Sequence, residues 1–296
     1  MNAQLEAGQF RNAAARERFL RAYDQAFEAL WPMTRVELDV ETRFGTTHVH
    51  RSGAEQGDPV VLLHGANSNA VQWYPFVEVL GAGHPVFAVD TLGDPSRSVA
   101  RTAIHEPADS AAWLDEVFDG LGIERVHLVG HSRGGWLVLN QATRSPQRLL
   151  SVSALDPGGL QKVGWRFFAY LYLNGLAGLL PGQLRTRVAA WLDNPVLVVP
   201  ELRRVLLAGA STFRTRIPAP LPLTDVELQA CSVPLLVLLG EHSPLVDSRT
   251  AAQRIHELLP TAEVRVLAGV GHGPGFEHGS TVNATLVEFI DSHSSP

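Results

Sequence analysis

A serine between glycines has the setting in this chain that best suits catalysis. Residues 130–134 read Gly-His-Ser-Arg-Gly, and Ser132 at their centre stands between a short apolar run, 126–129, and a helix-like stretch, 135–142. A sharp turn from strand to helix holds its central residue in a strained conformation, and small neighbours let the chain pass close by, which leaves the hydroxyl exposed. The spacing therefore predicts that Ser132 is a nucleophile.

A serine hydroxyl needs a general base within hydrogen-bonding distance, because at its ordinary pKa it is a weak nucleophile. His272 is the leading candidate, since residues 269–274 read Gly-Val-Gly-His-Gly-Pro directly after the last predicted strand. A loop in that place emerges at the same edge of a parallel sheet as the serine turn. We therefore expect His272 to accept the proton of Ser132.

Acyl transfer also needs N–H donors aimed at the oxygen that becomes negative. The amide of Arg133, at the start of the helix that follows Ser132, is one candidate, and the helix dipole adds to its effect. The second is the amide of Ala66, in the His-Gly-Ala-Asn sequence of residues 64–67. The same four residues could also form an ordinary tight turn.

The surrounding pattern alternates short apolar strands with helices. Residues 9–31 have helical spacing of aromatic residues and end at Trp-Pro, which predicts a helix lying on the domain. Continuous apolar runs that alternate with helices indicate a parallel, doubly wound sheet. The predicted strands are 36–42 and 46–51, which form a hairpin at the sheet edge, then 60–63, 85–89, 126–129, 149–155, 234–239 and 264–267.

One long segment interrupts this alternation. The residues between Asp156 and about Ala230 lack a strand–helix rhythm and contain many aromatic residues. A structureless loop of that length is uncommon, which favours a helical insertion over the strand ends, either as additional core or as a lid on an apolar pocket. We expect an N-terminal helical extension (1–34), a core (35–156 and 231–296) and a helical cap (157–230).

Composition excludes several classes of function. The 24 basic and 30 acidic residues give a formal net charge of −6, and no Lys or Arg stripe could follow phosphates, so nucleic acid is not an expected partner. The apolar stretch 167–180 is interrupted and too short to span a membrane. The start lacks a basic and apolar leader, and the single cysteine, Cys231, suits a reducing compartment. We expect a cytoplasmic protein without a membrane span.

From about residue 36 onward the chain resembles the α/β-hydrolase family. The matching sequences, in the family's order, are 64–67, the Asp-Thr-Leu-Gly-Asp of 90–94 with Ser96 and Ser98, then 130–135, and Gly-His at 271–272. The resemblance implies an α/β fold with a mostly parallel eight-stranded sheet flanked by helices and a helical cap inserted after strand six. It also implies acyl or related transfer that needs no cofactor.

The acid of the expected triad departs from the family pattern. The family usually has Gly-Glu-x-Asp-Pro after strand seven, whereas residues 240–244 read Gly-Glu-His-Ser-Pro, which puts Ser243 where the aspartate is expected. Asp156 follows the sixth strand, where some relatives carry the acid, and it is the first choice. Asp247 is the alternative, although it is also well placed to cap a helix. A Ser–His pair without a direct acid is the third interpretation.

We therefore expect a serine hydrolase of the carboxylesterase type that acts on a small-molecule ester with an apolar portion through a Ser132 acyl-enzyme. Thioesterase, lactonase, C–C hydrolase and cofactor-free haloperoxidase chemistry would give the same sequence pattern. The rival from another class is a binding protein that has lost efficient turnover, and Ser243 is its best support. His48 and His50 alternate on a strand, and since their spacing is not typical of metal ligands, no metal is assigned.

Overall fold

The structure is a computed structural model that describes residues 8–192, 194–215, 220–273 and 279–295. The first seven residues of the expected N-terminal extension and Pro274 of the expected histidine loop lie outside the described residues. Within them, no helix has the length and the apolar run that crossing a membrane requires.

A large sheet forms the centre of the molecule. The described strands are β1 (Gln9–Phe10), β2 (Val36–Thr42), β3 (Gly45–Gly53), β4 (Val60–Leu63), β5 (Pro85–Val89), β6 (Val99–Ala100), β7 (Val126–His131), β8 (Leu149–Leu155), β9 (Phe213–Arg214), β10 (Leu235–Gly240) and β11 (Glu263–Leu267). The strand order in the large sheet is β11-β10-β8-β7-β4-β5-β3-β2, with β6 paired to β3, whereas β1 and β9 form a separate pair. Neighbours from β11 to β5 run parallel, whereas β3 is antiparallel to β2, β5 and β6.

Helices cover both faces of this sheet, as the apolar runs predicted. The helices are α1 (Ala13–Leu30), α2 (Val77–Gly81), α3 (Pro107–Leu121), α4 (Arg133–Arg144), α5 (Trp165–Ala177), α6 (Gly182–Trp191), α7 (Pro200–Thr212), α8 (Asp225–Gln229), α9 (Ser248–Leu258) and α10 (Gly279–Ser292). Short 3-10 turns occupy Ala70–Trp73, Pro146–Arg148 and Pro195–Val198. The expected α/β fold with a mostly parallel sheet is confirmed, but the expected count of eight strands is not. The sheet has nine strands in the described residues, because the two-residue strand β6 pairs with β3 in addition to the eight expected strands.

The strand β4 shows why the sheet requires cover on both sides. Val61 and Leu63 belong to one hydrophobic core, while Val60 and Leu62 belong to the core on the opposite face, and all four are fully buried. Side chains alternate across a strand, so a run of four apolar residues must be covered on two faces. This double burial fixes the strand ends that carry the candidate site.

The N-terminal helix α1 packs on one of these cores. Its fully buried stripe is Phe19, Tyr23 and Phe27, and the side chain of Asn12 accepts a hydrogen bond from the amide of Ala15 at the helix start. A helix with one apolar stripe gains most of its stability from such packing.

Between β8 and β9 the described residues include the helices α5, α6 and α7, and α8 follows β9 before β10. Leu202 and Val205 of α7 are buried in the same core as α1. The two-residue strand β1 pairs with β9 just after α7, and the rings of Phe10 and Phe213 meet edge to face at 4.9 Å. The end of this segment is therefore held against the start of the described chain.

Candidate active site

Ser132 lies in the turn between β7 and α4, with φ 55° and ψ −112°. This backbone conformation is strained for a residue with a side chain. The flanking glycines make it sterically feasible: a Cβ on Gly130 would lie 2.2 Å from the carbonyl oxygen of Gly134, and one on Gly134 would lie 2.0 Å from that of Leu63. The Gly-x-Ser-x-Gly spacing is thus a packing requirement of this turn.

His272 reaches Ser132 from the loop after β11. Its Nε2 lies 2.9 Å from the Oγ of Ser132, and its Nδ1 lies 2.5 Å from the Oδ2 of Asp156. The Asp156 side chain is fully buried, whereas that of His272 retains 11% exposure. The structure therefore brings Ser132, His272 and Asp156 together as a continuous chain of hydrogen bonds.

Asp156 directly follows β8 and has φ 40°. Its Oδ2 accepts a hydrogen bond from the Oγ of Ser243 at 2.7 Å, and its Oδ1 accepts one from the amide of Gly240 at 3.2 Å. Both oxygens of this buried side chain therefore have hydrogen-bond donors from the region of β10. The serine at position 243 thus hydrogen-bonds to a carboxylate from another strand.

The alternative acid, Asp247, is not brought to His272. It is exposed at the start of α9, where its Oδ1 accepts a hydrogen bond from the amide of Thr250 at 2.9 Å. That backbone bond lowers the pKa of Asp247, as expected for a helix-capping carboxylate. Glu241 instead accepts a hydrogen bond from the amide of Gly269 at 3.0 Å, which links the loop after β10 to the loop that carries His272.

Asp94 hydrogen-bonds to both segments that carry the expected oxyanion donors, Ala66 and Arg133. Arg133 is the first residue of α4, where the amide has no partner within the helix. Its buried side chain donates to Asp94 Oδ2 at 2.8 Å, while Asp94 Oδ1 accepts the amide of Asn67, next to Ala66, at 2.7 Å. Burial lowers the pKa of the Arg133 guanidinium, and the charge of Asp94 opposes that shift. Asp94 therefore fixes both loops, a role that sequence reasoning did not assign.

A second network, also missed from the sequence, connects the same loop to His272. Gln72 accepts the amide of Gly65 at 3.2 Å, and its Nε2 lies 2.9 Å from Nδ1 of His131. Nε2 of His131 lies 2.6 Å from the carbonyl oxygen of His272, so that nitrogen carries the proton and Nδ1 accepts from Gln72. Burial first, and then the nearby His272, lowers the pKa of His131 to about 4, so the ring is neutral near pH 7.

A cavity of about 260 Å³ opens in front of the Ser132 hydroxyl. The strand-end loops contribute Ala66, Asn67 and His131, and the insertion contributes most of the apolar surface. The rings of Phe167 and Tyr170 lie 5.6 Å and 6.2 Å from the ring of His272, both edge to face. The lining residues from the insertion are Phe167, Tyr170, Leu171, Asn174, Asn194, Val196, Leu202, Val205 and Leu206.

Comparisons with known proteins agree with this architecture. Residues 60–285 match the family described as the alpha/beta hydrolase family. The chain is 31% identical to carboxylesterase YbfK of Bacillus subtilis over 281 residues, which cover 92% of this chain and 93% of that one. It is 32% identical to the uncharacterized carboxylesterase nap of the same organism over 94% of this chain and 93% of that one.

Solved structures give the same result. The crystal structure of naproxen esterase (carboxylesterase NP) from Bacillus subtilis superposes with a TM-score of 0.84 at 31% identity, covering 94% of this chain and 99% of that one. Since both the family match and these relatives extend over most of the sequence, the resemblance expected from the motifs is confirmed. The chain belongs to the alpha/beta hydrolase family.

Proposed function

We propose that this protein is a serine carboxylesterase in which Ser132 attacks the ester carbonyl, His272 is the general base and Asp156 is the acid of the triad. The observation that carries the proposal is the unbroken hydrogen-bond chain from Asp156 through His272 to Ser132 at the cavity. The relatives over 30% identical that are described as carboxylesterases support the same chemistry.

In the first half of the reaction, Asp156 holds the Nδ1–H of His272, which leaves the lone pair of Nε2 facing the Ser132 hydroxyl. His272 takes the proton while Oγ adds to the carbonyl carbon. The amides of Ala66 and Arg133 donate to the resulting oxyanion. The imidazolium then gives its proton to the leaving alcohol oxygen, and the C–O bond breaks to leave an acyl-enzyme.

In the second half, water replaces the alcohol. His272 removes a proton from the water as its oxygen adds to the acyl carbon, and then returns that proton to Ser132 Oγ as the acyl–serine bond breaks. The products are a carboxylic acid and the regenerated enzyme. The buried carboxylate of Asp156 stabilises the imidazolium in both halves.

The walls of the cavity support an ester with an apolar portion. Most of the surface contributed by the insertion is aliphatic or aromatic, and apolar walls bind apolar groups. We propose that residues 157–230 act as a cap, that the hydrolytic core comprises 35–156 and 231–296, and that 1–34 form an extension. In this proposal the cap shapes the substrate site and limits access of water.

A binding protein without turnover is the less favoured alternative. Its support from the sequence was the serine at position 243, which left the usual acid position empty. Ser243 donates a hydrogen bond to Asp156, and Asp156 contacts His272. Asp156 therefore supplies the carboxylate that position 243 lacks. Such a binding protein also has no physical need for a base hydrogen-bonded to a serine that lines the cavity.

The proposal is tested by covalent labelling with a fluorophosphonate together with hydrolysis of p-nitrophenyl esters. We expect rapid stoichiometric labelling of the native protein and none of Ser132→Ala, with kcat lowered about 10⁶-fold in that variant. Asp247→Asn is the matched control and keeps both activities, because Asp247 caps α9. Folded native protein that neither reacts with the probe nor hydrolyses any ester of the series would contradict the proposal.

A further inference from the structure

We propose that Glu37, His48 and His50 form a binding site for one divalent transition-metal ion of the zinc type, separate from the hydrolytic site. The three residues lie on the hairpin of β2 and β3. His48 and His50 are two apart on β3 and so share a face, and Glu37 is the register partner of His50. One ligand atom from each residue lies within 4.8 Å of the other two.

The ring of His50 presents a free lone pair. Its Nε2 lies 2.6 Å from the hydroxyl oxygen of Tyr23, and that hydroxyl donates to Asp90 Oδ2 at 2.8 Å. Since the Tyr23 hydroxyl donates its own proton to Asp90, it can only accept from His50, so Nε2 of His50 must be protonated. The other nitrogen, Nδ1, is an acceptor, and in the described part of the chain it is buried without a hydrogen-bond partner.

The ring of His48 is arranged in the same way with its nitrogens exchanged. Its Nδ1 lies 2.7 Å from Oδ1 of Asp39, to which it donates. Its Nε2 is buried and has no hydrogen-bond partner among the described residues, and the Oε2 of Glu37 lies 3.7 Å away. Two neighbouring imidazoles therefore each leave one nitrogen unsatisfied.

This pattern is the one that metal-binding histidines show. A ligating histidine typically donates its other N–H to a carboxylate or another oxygen, which fixes the tautomer and orients the lone pair. Asp39 and Tyr23 supply those oxygens here. A buried acceptor without a partner costs free energy, and a bound cation would satisfy both ring nitrogens at once.

The donor set also selects the type of metal. Two imidazole nitrogens and a carboxylate oxygen suit Zn²⁺, and also Co²⁺ and Ni²⁺, whereas Mg²⁺ and Ca²⁺ prefer oxygen ligands. Zinc-bound atoms of a tetrahedral site lie about 3.3 Å apart, given Zn–N distances near 2.0 Å. Because Glu37 is exposed, its side chain can make most of the necessary movement, and water can complete the coordination.

The nearby charges leave one oxygen of Glu37 available. Nη2 of Arg35 lies 3.4 Å from Oε1, whereas Nε2 of His48 lies 3.7 Å from Oε2, so Oε2 remains for the ion. Arg35 and Arg97 repel a cation at His50, while the carboxylates of Asp39 beside His48 and of Asp90 beside Tyr23 offset that repulsion. Since Tyr23 belongs to α1, a bound ion would tie the N-terminal helix to the hairpin.

The test uses the full-length protein after treatment with a chelator and its removal. Titration with Co²⁺ is expected to give the visible ligand-field bands of a tetrahedral site at one equivalent, and Zn²⁺ is expected to displace them and raise the Tm. Glu37→Gln and His48→Gln should weaken binding of either ion by at least about tenfold. His256→Gln, which changes an exposed histidine on α9, is the matched control and should bind like the native protein.

Two results would overturn the site. One is native protein that binds neither Co²⁺ nor Zn²⁺ stoichiometrically, which would mean that His48 is only ion-paired with Glu37 and Asp39. The other is unchanged binding by both Glu37→Gln and His48→Gln, which would place the ion elsewhere. Circular dichroism and the metal-free Tm of each variant separate loss of ligands from loss of fold.

Discussion

The carboxyl edge of the sheet and the segment that runs from α5 through α7 both contribute to the cavity lining but are built in opposite ways. At the sheet edge, Asp156, Ser243 and Asp94 are buried and hydrogen-bonded to residues from other elements. On the helices, large side chains face solvent, with Trp165 79% and Trp191 72% exposed. The residues whose positions the reaction depends on are therefore fixed by the core, whereas the helices contribute apolar side chains that are held less tightly.

The largest expected effect on catalysis comes from replacing a residue at the sheet edge. Asp156→Asn should lower kcat for p-nitrophenyl butyrate about 10⁴-fold, because an amide can donate to Nδ1 and thereby favour the wrong tautomer of His272. Asp247→Asn should change kcat less than about twofold, since this residue only caps a helix. Equal losses in the two variants, measured at saturating ester, would remove Asp156 from the triad.

The choice of the acid shows which features of this protein the sequence could predict and which it could not. Apolar runs bounded by turns predicted the core strands, because burial on two faces leaves a local pattern. The sequence made Asp156 the first choice but left Asp247 as an alternative, since the contact that favours Asp156 is with a histidine 116 positions away. Only the strand order β7-β8-β10-β11 brings the two together.

The missed residues have the same physical explanation. The bond from Gln72 to His131 and the pair of Asp94 and Arg133 join polar side chains that are far apart in the sequence, and such pairs have no periodicity. His48 was correctly interpreted as a strand residue. Its relation to Glu37 depends on the register of the hairpin, which spacing along β3 alone does not reveal.

The next effect concerns the stability of the sheet edge. Arg133→Met should lower the free energy of unfolding by about 3–5 kcal/mol, because it leaves the carboxylate of Asp94 buried without its cation. Arg21→Met is the control, since Arg21 forms an exposed pair with Glu17 and should cost less than about 1 kcal/mol. Urea denaturation followed by circular dichroism measures both, and similar losses would contradict a special role for the buried pair.

Acid should destabilise the sheet edge through its buried histidine. The pKa of His131 is about 4 in the folded protein and 6.5 as its ordinary value, so unfolding takes up a proton between these limits. Its contribution to stability is complete above pH 6.5 and is lost as the pH falls from 6.5 toward 4, by up to about 1.4 kcal/mol per unit.

His131→Gln isolates this contribution, because an amide can still donate to the carbonyl of His272 and accept from Gln72. On going from pH 6 to pH 5, the native protein should lose about 1 kcal/mol more unfolding free energy than the variant does. His256→Gln, on the surface of α9, should keep the native pH dependence. An unchanged difference in His131→Gln would mean that His131 ionises normally in the folded state.

The smallest expected effect lies in the helices. Phe167→Ala removes a ring that lies 5.6 Å from His272 and lines the cavity. Because the ring lines the cavity but carries no reacting atom, kcat/KM for p-nitrophenyl octanoate should fall about tenfold, mainly through KM. For p-nitrophenyl acetate, whose acyl chain is too short to need the apolar wall, the change should be less than about twofold.

Trp165→Ala is the control for Phe167→Ala, because it removes an aromatic side chain from the solvent-exposed side of the same helix, α5. Trp165 is a larger aromatic residue on the same helix, but it is exposed and is not part of the cavity lining, so kcat/KM should stay near native for both esters. A loss with octanoate equal to that of Phe167→Ala would mean that the effect comes from the stability of α5 and not from contact with the acyl chain. A fall in kcat with acetate in Phe167→Ala would instead show that this ring orients His272, and the division between a catalytic sheet edge and replaceable helices would no longer hold.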